Sequence, residues 1–330
     1  MSVQWQQLED QPRLLLEAQL RPLQGARFQP TGFPDLGAAV YDAPCGDGSQ
    51  IVLVESAQSV ANRLEDVCWD YATDSPPSSL TDMPYVSVAL WDGKTTNSML
   101  EAHRLNSPYI MRDESFKSRL REAAGLPEKE SGAGVVSRRQ LAKAVFRYDP
   151  GSVLHGVFLE KLAGVARLQR CLSGFIEAHD SNVSDSGGVK NDRVAPSPKA
   201  LKEIGLEVGA AEGFGNVPFH RSEYTAKQIT AFFNLDLAQL RAYGLGKSAE
   251  RFLITLALWK VRKFLETGLR LRTACDLDME GELAVTRPAD GFSVPSTAEL
   301  ESGLSALIAA CENEGLFASP PVTRLTFKGK

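Results

Sequence analysis

The sequence predicts an α+β fold, because apolar residues recur at strand period in some segments and at helical period in others. Residues 14–20 are rich in leucine and can form a first strand, residues 51–54 are a short apolar run, and residues 85–91 alternate between apolar and polar side chains. Residues 56–68 instead carry their apolar side chains at helical spacing. With 330 residues and 43% hydrophobic content the chain can bury a large core, so we expect a single domain over residues 1–330.

The order of these elements indicates a ferredoxin-like, or RRM-like, sheet that carries large inserted subdomains. The first strand is followed by a loop rich in Gly and Pro, and the strand at 51–54 turns directly into a helix capped by Ser56. Strand, helix and strand early in the chain, with a helix and a strand late, are typical of that sheet. The remaining predicted elements are a strand at 154–159 leading into a helix up to 175, helices at 226–243, 248–265 and 297–312, and a strand at 268–278.

Two segments are candidate insertions that would form a thumb or a loop. Residues 125–140 combine Gly, Pro and charged side chains, and residues 180–200 are the least apolar stretch of the chain. We expect the second segment to be an exposed loop or hairpin.

Composition and charge exclude several classes of protein. The chain carries 36 basic and 41 acidic residues, a net charge of -5, so any nucleic-acid site has to be a local patch. Its five cysteines are odd in number and widely spaced, which indicates neither a disulfide framework nor a zinc site. No apolar run approaches the roughly 18 residues of a membrane span. We therefore expect a soluble cytoplasmic protein without membrane contact.

The most informative pattern is the predicted strand at 268–278. There Arg270, Arg272 and Asp276 share the face opposite the apolar side chains. Residues two apart on a strand are separated by about 6–7 Å, close to the spacing of phosphates along a single nucleic-acid strand. A polyanion is therefore the predicted ligand, and the alternative is that both arginines pair with the neighbouring acidic side chains.

Other candidate nucleic-acid contacts lie in loops and on the first helix. The string SGGVK offers two glycine amides beside Lys190, and it also fits a flexible turn. Two His-Arg pairs could stack on a base and hold a phosphate, although their histidines could instead satisfy loop carbonyls. The side chains of the remaining candidates could equally be exposed to solvent or paired with neighbouring acidic side chains. The full set of predicted RNA-binding residues is Arg21, Arg27, Asn62, Arg63, His103, Arg104, Lys190, His220, Arg221, Arg270 and Arg272.

Several strings together resemble one family. They are LVESAQSVANRLE (53–65), HRLNSPYI (103–110), LHGVF (154–158), SGGVKND (186–192), VPFHR (217–221) and GLRLRTACDL (268–277). The combination is similar to the CRISPR-associated RAMP proteins of the type I-U, or I-G, interference system. Within that group it resembles the backbone subunit, of the Cas7 or Csb1 type, and the resemblance runs from about residue 14 to residue 278.

The resemblance implies an RRM-like palm, many copies wound as a helical filament on one CRISPR RNA, and a guide presented for pairing with target DNA. It also implies contact with the other type I-G Cascade subunits, namely the large subunit and the guide-processing subunit. Such subunits bind and do not cut, so we expect no catalytic residue, no metal and no cofactor. A backbone that accepts any guide should contact phosphate and ribose and leave base edges free.

Two enzyme hypotheses remain open on the sequence. Asp276 and Asp278 fall on one strand face and could hold Mg²⁺ in a metal-dependent nuclease. A guide-RNA processing ribonuclease of the same superfamily could use His103 or His155 as its acid or base. His155 lies inside an apolar run, however, which favours a buried structural histidine.

Overall fold

The computed structural model describes most of the chain. The described residues are 3–33, 35–44, 46–126, 136–162, 164, 166–190, 197–205, 217–267, 269–289 and 291–327. The α+β class predicted from the sequence is confirmed, because helices and strands are interspersed along the whole of this part of the chain.

The strands are numbered in chain order. They are β1 (Arg13–Pro22), β2 (Gly32–Phe33), β3 (Gly37–Ala38), β4 (Val40–Asp42), β5 (Gln50–Glu55), β6 (Tyr85–Ala89), β7 (Thr95–Asn97), β8 (Val157–Phe158), β9 (Arg167–Leu168), β10 (Leu172–His179), β11 (Asn182–Lys190), β12 (Val217–Thr225), β13 (Gln228–Asp236), β14 (Arg270–Arg272), β15 (Cys275–Arg287) and β16 (Val322–Thr326).

The α-helices are numbered in the same way, and short 3₁₀ turns accompany them. The helices are α1 (Ala57–Asp66), α2 (Pro108–Met111), α3 (Glu114–Ala123), α4 (Arg138–Tyr148), α5 (Pro150–His155), α6 (Pro198–Glu203), α7 (Leu237–Ala242), α8 (Lys247–Glu266) and α9 (Thr297–Asn313).

A seven-stranded sheet with the order β14-β15-β1-β13-β10-β5-β4 forms the centre of the fold. Strand β1 lies in the interior of the sheet and pairs antiparallel with both β13 and β15. Alternate side chains of β1 are fully buried, and those between them are only partly covered. One face of the sheet therefore packs on the core and the other is more accessible.

Helices α1 and α8 cover the buried face. Helix α1 begins at Ser56, whose side chain accepts a hydrogen bond from the Ser59 amide, and it packs on β10. Helix α8 is buried along most of its length, with Trp259 at 0% exposure, and packs against β13, β15 and α9. A single cluster of buried apolar side chains joins the first strand to the last helix.

Strands β10 and β13 continue beyond the sheet as a long two-stranded ribbon. In the sheet Leu172 is paired with Leu235, and further along the ribbon Asn182 of β11 is paired with Thr225 of β12. The β11–β12 half of the ribbon has no third strand beside it among the described residues. We call this half the ribbon arm; its nine residues per strand correspond to a reach of about 30 Å.

A second, three-stranded sheet has the order β16-β6-β7. Strand β16 runs parallel to β6, with Val322 opposite Tyr85. Within the described ranges, no helix combines the length and the apolar character needed to cross a bilayer.

Three predicted elements are wrong and need correction. The predicted strand at 154–159 with a helix up to 175 is instead the end of α5, the short strands β8 and β9, and then strand β10. The predicted helix at 226–243 is strand β13 followed by α7. The predicted single strand at 268–278 is a hairpin of β14 and β15.

The two predicted insertions fall partly outside the described residues. Of 125–140, residues 127–135 lie outside them, and α4 begins at Arg138. Of 180–200, residues 191–196 lie outside them, and β11 occupies most of the first half.

Candidate nucleic-acid interface

The ribbon arm brings together four of the predicted RNA-binding residues. Lys190 lies at the end of β11, His220 and Arg221 lie on β12, and Arg27 reaches the arm from the loop after β1. The Arg27 guanidinium donates to Ser186 Oγ at 2.8 Å and lies 3.1 Å from Glu223 Oε2.

Buried Glu223 organises the cations of the arm. It is 4% exposed and pairs with the guanidiniums of both Arg27 and Arg221. His220 is 70% exposed and lies 3.3 Å from Asp185, also exposed, so its ring contacts a carboxylate where the alternative interpretation required a loop carbonyl. Glu223 therefore holds the guanidiniums of Arg27 and Arg221, while the His220 side chain remains largely exposed.

The arm also exposes apolar side chains. Val183, Val189 and Phe219 are each more than half exposed, although folded proteins usually keep contiguous apolar surface covered. Gly187 faces β12 so closely that a Cβ there would lie 2.3 Å from the Phe219 carbonyl oxygen. The glycine is therefore required for the two strands to approach each other.

A second group of predicted residues lies where β14 meets α1. Glu55 is fully buried and pairs with Arg63 at 2.9 Å and with Arg272. Arg272 also donates to the carbonyls of Gln29 and Val54, at 3.0 and 3.1 Å. Arg63 and Arg272 thus fix α1 to the edge of the sheet, and burial lowers the pKa of both guanidiniums.

Other members of this group remain open to solvent. Arg270 is 78% exposed and lies 3.6 Å from Asp276, its cross-strand partner. Arg21 and Asp278 form a 3.8 Å pair in which both side chains are exposed, and Asn62 is exposed on α1. Exposed pairs of this kind are weak, so both arginines can exchange their carboxylate for a phosphate.

The predicted pair of His103 and Arg104 lies at a cavity beside α5. His103 is exposed there, whereas Arg104 is buried and clasps Glu65 with two hydrogen bonds of 2.5 Å. Sequence reasoning missed Glu65 as this partner, and also Arg167 and Arg170, which line the same cavity. The two latter residues fell in a segment predicted as helix, and nothing in the sequence connected that segment with His103 and Arg104.

His155 is a buried structural residue, as the sequence indicated. It is 2% exposed, and its Nε2 lies 3.0 Å from the ammonium of Lys260, which is equally buried. Burial and the nearby charges of Lys260, Arg104 and Arg170 hold the pKa of His155 well below its ordinary range. The imidazole is therefore neutral at physiological pH.

This depressed pKa predicts an acid-sensitive component of stability. At pH 7.5 His155 is neutral in the folded and the unfolded chain, but below its ordinary pKa of about 6.5 only the unfolded chain takes up the proton. The free energy of unfolding should therefore fall by about 1.4 kcal/mol per pH unit through that window. Urea unfolding at pH 7.5 and 5.5 measures it. The His155→Gln variant should lose less stability than the wild type over the same interval, and an equal loss would contradict the assignment.

The carboxylates considered for a metal site do not gather into one. Asp276 and Asp278 engage Arg270 and Arg21, respectively. Among the described residues, no group of three or more His, Cys, Asp or Glu side chains is arranged to hold a metal ion.

Comparison with known proteins places this geometry in context. The family model "CRISPR-associated protein GSU0053" matches residues 14–183, just over half of the chain. A search of curated proteins found no match.

Two solved structures are similar over most of their length. A chain of a "CRISPR RNA-guided surveillance complex, pre-nicking" is 14% identical and has a TM-score of 0.40, with 92% of this chain and 89% of that chain covered. Csc2 of Thermofilum pendens is 9% identical with a TM-score of 0.33, and the match covers 96% of this chain and 81% of that chain. The match of the family model over residues 14–183 establishes that the chain belongs to the CRISPR-associated GSU0053 family.

Proposed function

We propose that the protein is the backbone subunit of a type I-G CRISPR interference complex. In this role it binds the phosphate-ribose backbone of CRISPR RNA, polymerises along it as a helical filament in the cytoplasm, and presents the guide to target DNA. The observation that carries the proposal is the family match over residues 14–183. The subunit acts as a binder, and cutting is left to other proteins.

The sheet topology supports an RRM-like palm. Strands β15, β1, β13 and β10 are adjacent in that order and pair antiparallel throughout. One helix, α1, lies in the chain between β1 and β10, and another, α8, lies between β13 and β15. This is the arrangement of a βαββαβ unit, with the other elements as insertions into a single domain.

The ribbon arm supports the assignment of a thumb that reaches a neighbouring copy. It extends beyond the sheet, exposes Val183, Val189 and Phe219, and carries Lys190, His220 and Arg221. By the register, Val183, Val189 and His220 lie on one face of the arm, and Phe219, Lys190 and Arg221 lie on the other. Each face therefore offers both apolar and basic side chains for contact with a second protein chain or an RNA strand. The large and guide-processing subunits would then contact the ends of the filament.

Co-expression with CRISPR RNA tests the proposal. Size exclusion with mass determination should yield an RNA-bound multimer whose copy number rises with RNA length. An RNA-free monomer would contradict the proposal, as would cleavage of the RNA by the purified protein with or without Mg²⁺.

The exposed cations should determine the salt dependence of RNA binding. The logarithm of RNA affinity decreases linearly with the logarithm of salt concentration. In the Lys190→Gln/Arg270→Gln double variant, this line should become less steep by about 0.7 for each phosphate that the variant no longer neutralises. The Lys143→Gln/Arg147→Gln variant removes the same charges from the exposed side of α4 and should keep the wild-type slope. Equal slopes in all three proteins would remove Lys190 and Arg270 from the interface.

A glycine substitution should separate folding from assembly. Gly187→Val places a branched side chain against the Phe219 carbonyl and should part the strands of the ribbon arm. Assembly on RNA should weaken at least tenfold, while the melting temperature changes little because the arm lies outside the main core. Gly188→Ala is the matched control, since its Cβ would meet only the Phe219 ring, which can turn aside. Normal assembly of Gly187→Val would contradict the role of the arm.

A further inference from the structure

A basic cavity lies beside α5. Its volume is about 780 Å³, within the range of about 300–1,000 Å³ typical of small-molecule sites. Most of its charged side chains are cationic, with Glu160 as the one carboxylate among the lining residues that the structure describes. The four cations are Arg104, Lys161, Arg167 and Arg170.

Two of these cations are held rigidly by the fold. Arg104 is clasped by Glu65 and donates to the Gly156 carbonyl at 3.3 Å. Arg170 donates through Nε to the His155 carbonyl at 3.3 Å and through Nη1 to the Ala57 carbonyl at 3.0 Å. Because carbonyls do not neutralise a guanidinium, Arg170 keeps its full charge at the cavity wall, and burial together with Arg104 lowers its pKa.

The other two cations remain available to a ligand. Among the described residues, neither Lys161 nor Arg167 has a carboxylate partner for its side chain. The Arg167 guanidinium lies 4.6 Å from the centre of the Phe158 ring, which holds its plane in place. The cavity has four cationic side chains and, among the described residues, two nearby carboxylates, Glu160 and Glu65, so its net charge is positive.

His155 adds a buried hydrogen-bond donor with no partner. An ammonium group has only donors, so Nε2 of His155 has to accept from Lys260. The neutral ring then carries its proton on Nδ1, and this buried atom has no partner among the described residues. His155 lines the cavity, and its Nδ1 lies behind the accessible surface of the wall. Leaving a buried donor unsatisfied costs about 1–3 kcal/mol.

We propose that this cavity is a phosphate-binding site that takes the phosphate of a ribonucleotide. Lys161, Arg167 and Arg170 would surround the phosphate oxygens, close to the buried His155 ring. Phe158, 38% exposed, and Pro108 provide apolar surface for the attached nucleoside. The phosphate can belong to a free nucleotide or to an RNA strand, and the inference does not depend on the proposed backbone role.

Nuclear magnetic resonance on protein labelled with ¹⁵N-histidine tests the proposal directly. The chain has four histidines, and His155 is the fully buried one, so its ring N–H should exchange slowly enough to be observed. Titration with inorganic phosphate or uridine 5′-monophosphate should shift this signal with saturation. Sodium chloride at matched ionic strength should not. A His155 signal that never moves, or that moves equally with chloride, would overturn the site.

Calorimetric titration of two double variants provides an independent test. Lys161→Gln/Arg167→Gln should bind uridine 5′-monophosphate at least tenfold more weakly than the wild type. Lys143→Gln/Arg147→Gln, with the same change of charge on α4, should bind as the wild type does. Equal weakening in both variants would show attraction by net charge alone and would overturn the site.

A tetrauridylate without a terminal phosphate distinguishes the two sources. If it shifts the His155 signal at lower concentration than the mononucleotide does, the natural occupant is a backbone phosphate of RNA. If only the mononucleotide acts, the occupant is a free nucleotide. Absence of guide co-purification together with retained phosphate binding would contradict the backbone role and leave this site intact.

Discussion

Replacement of Glu65 by glutamine should lower the free energy of unfolding by about 3–5 kcal/mol. Glu65 and Arg104 are joined by two hydrogen bonds of 2.5 Å, and their side chains are 9% and 11% exposed. Glutamine keeps the shape of the carboxylate but leaves the buried guanidinium without its counter-charge. Removal of one member of such a pair costs more than the pair itself contributes.

Urea denaturation at pH 7.5 measures this effect. Asp278→Asn is the matched control, because it breaks the 3.8 Å pair with Arg21, whose side chain is 61% exposed, and should change stability little. The double variant Glu65→Gln/Arg104→Gln should recover part of the loss, since no charge is then left buried. If the single variant unfolds at the same urea concentration as the wild type, the pair does not hold the cavity wall.

Replacement of Gly156 by alanine should destabilise the protein to a similar degree. Gly156 has φ 77° and ψ 152°, a region that side chains with a Cβ rarely adopt, at a cost of about 1–3 kcal/mol. A Cβ would also lie 2.8 Å from the Arg170 amide nitrogen and 3.0 Å from the Leu168 carbonyl oxygen. Both are backbone atoms of β9 and its flank, so the clash cannot be relieved by a rotamer change.

Gly164→Ala is the control for this substitution. Gly164 lies eight residues away in the same region, and a Cβ there would meet open space. Thermal unfolding should show a marked drop for Gly156→Ala and almost none for Gly164→Ala. Because Gly156, Leu168 and Arg170 all line the basic cavity, uridine 5′-monophosphate binding should weaken with the first variant only. Equal melting temperatures for the two variants would contradict the strain at Gly156.

The predicted elements with local signals were confirmed. Ser56 marks the start of α1, as its N-cap preference indicated, and the apolar periodicity of α8 and α9 was sufficient to locate both helices. The strand prediction over β1 also succeeded, because one face of this strand is buried and the other is not.

The helix predicted at residues 226–243 was wrong because a segment with the period of a strand is followed directly by a segment with the period of a helix. Ile229, Ala231, Phe233 and Leu235 are buried and alternate as in a strand, yet α7 begins one residue after Asp236. Read as one window, the two short elements imitate a single helix. The side chain of Asp236 caps α7, and this was the available signal for the boundary.

The sequence indicated which types of residue form the site, but it did not indicate which side chains pair with one another. Arg63 could be expected to pair with Glu65 or Asp66 within its own helix, but it pairs with Glu55, which precedes the helix, and donates to the carbonyl of Leu271. Arg63 and Leu271 are about two hundred residues apart in the chain, so only the register of the folded sheet brings them together. For the same reason, the unsatisfied His155 donor could not be inferred before Lys260 was placed beside it.

The central position of β1 determines when the protein can fold during synthesis. Its partners are β13 and β15, so β1, which is synthesised before both of them, stays unpaired in the sheet until residues 228–287 have followed. The family match over residues 14–183 includes β1, β5 and β10 but lacks β13, which separates β1 from β10 in the sheet. Pairings so distant in sequence close slowly and leave strand edges exposed meanwhile. Nascent chains should therefore depend on chaperones until translation has passed β15, and a fragment that ends near residue 183 should aggregate.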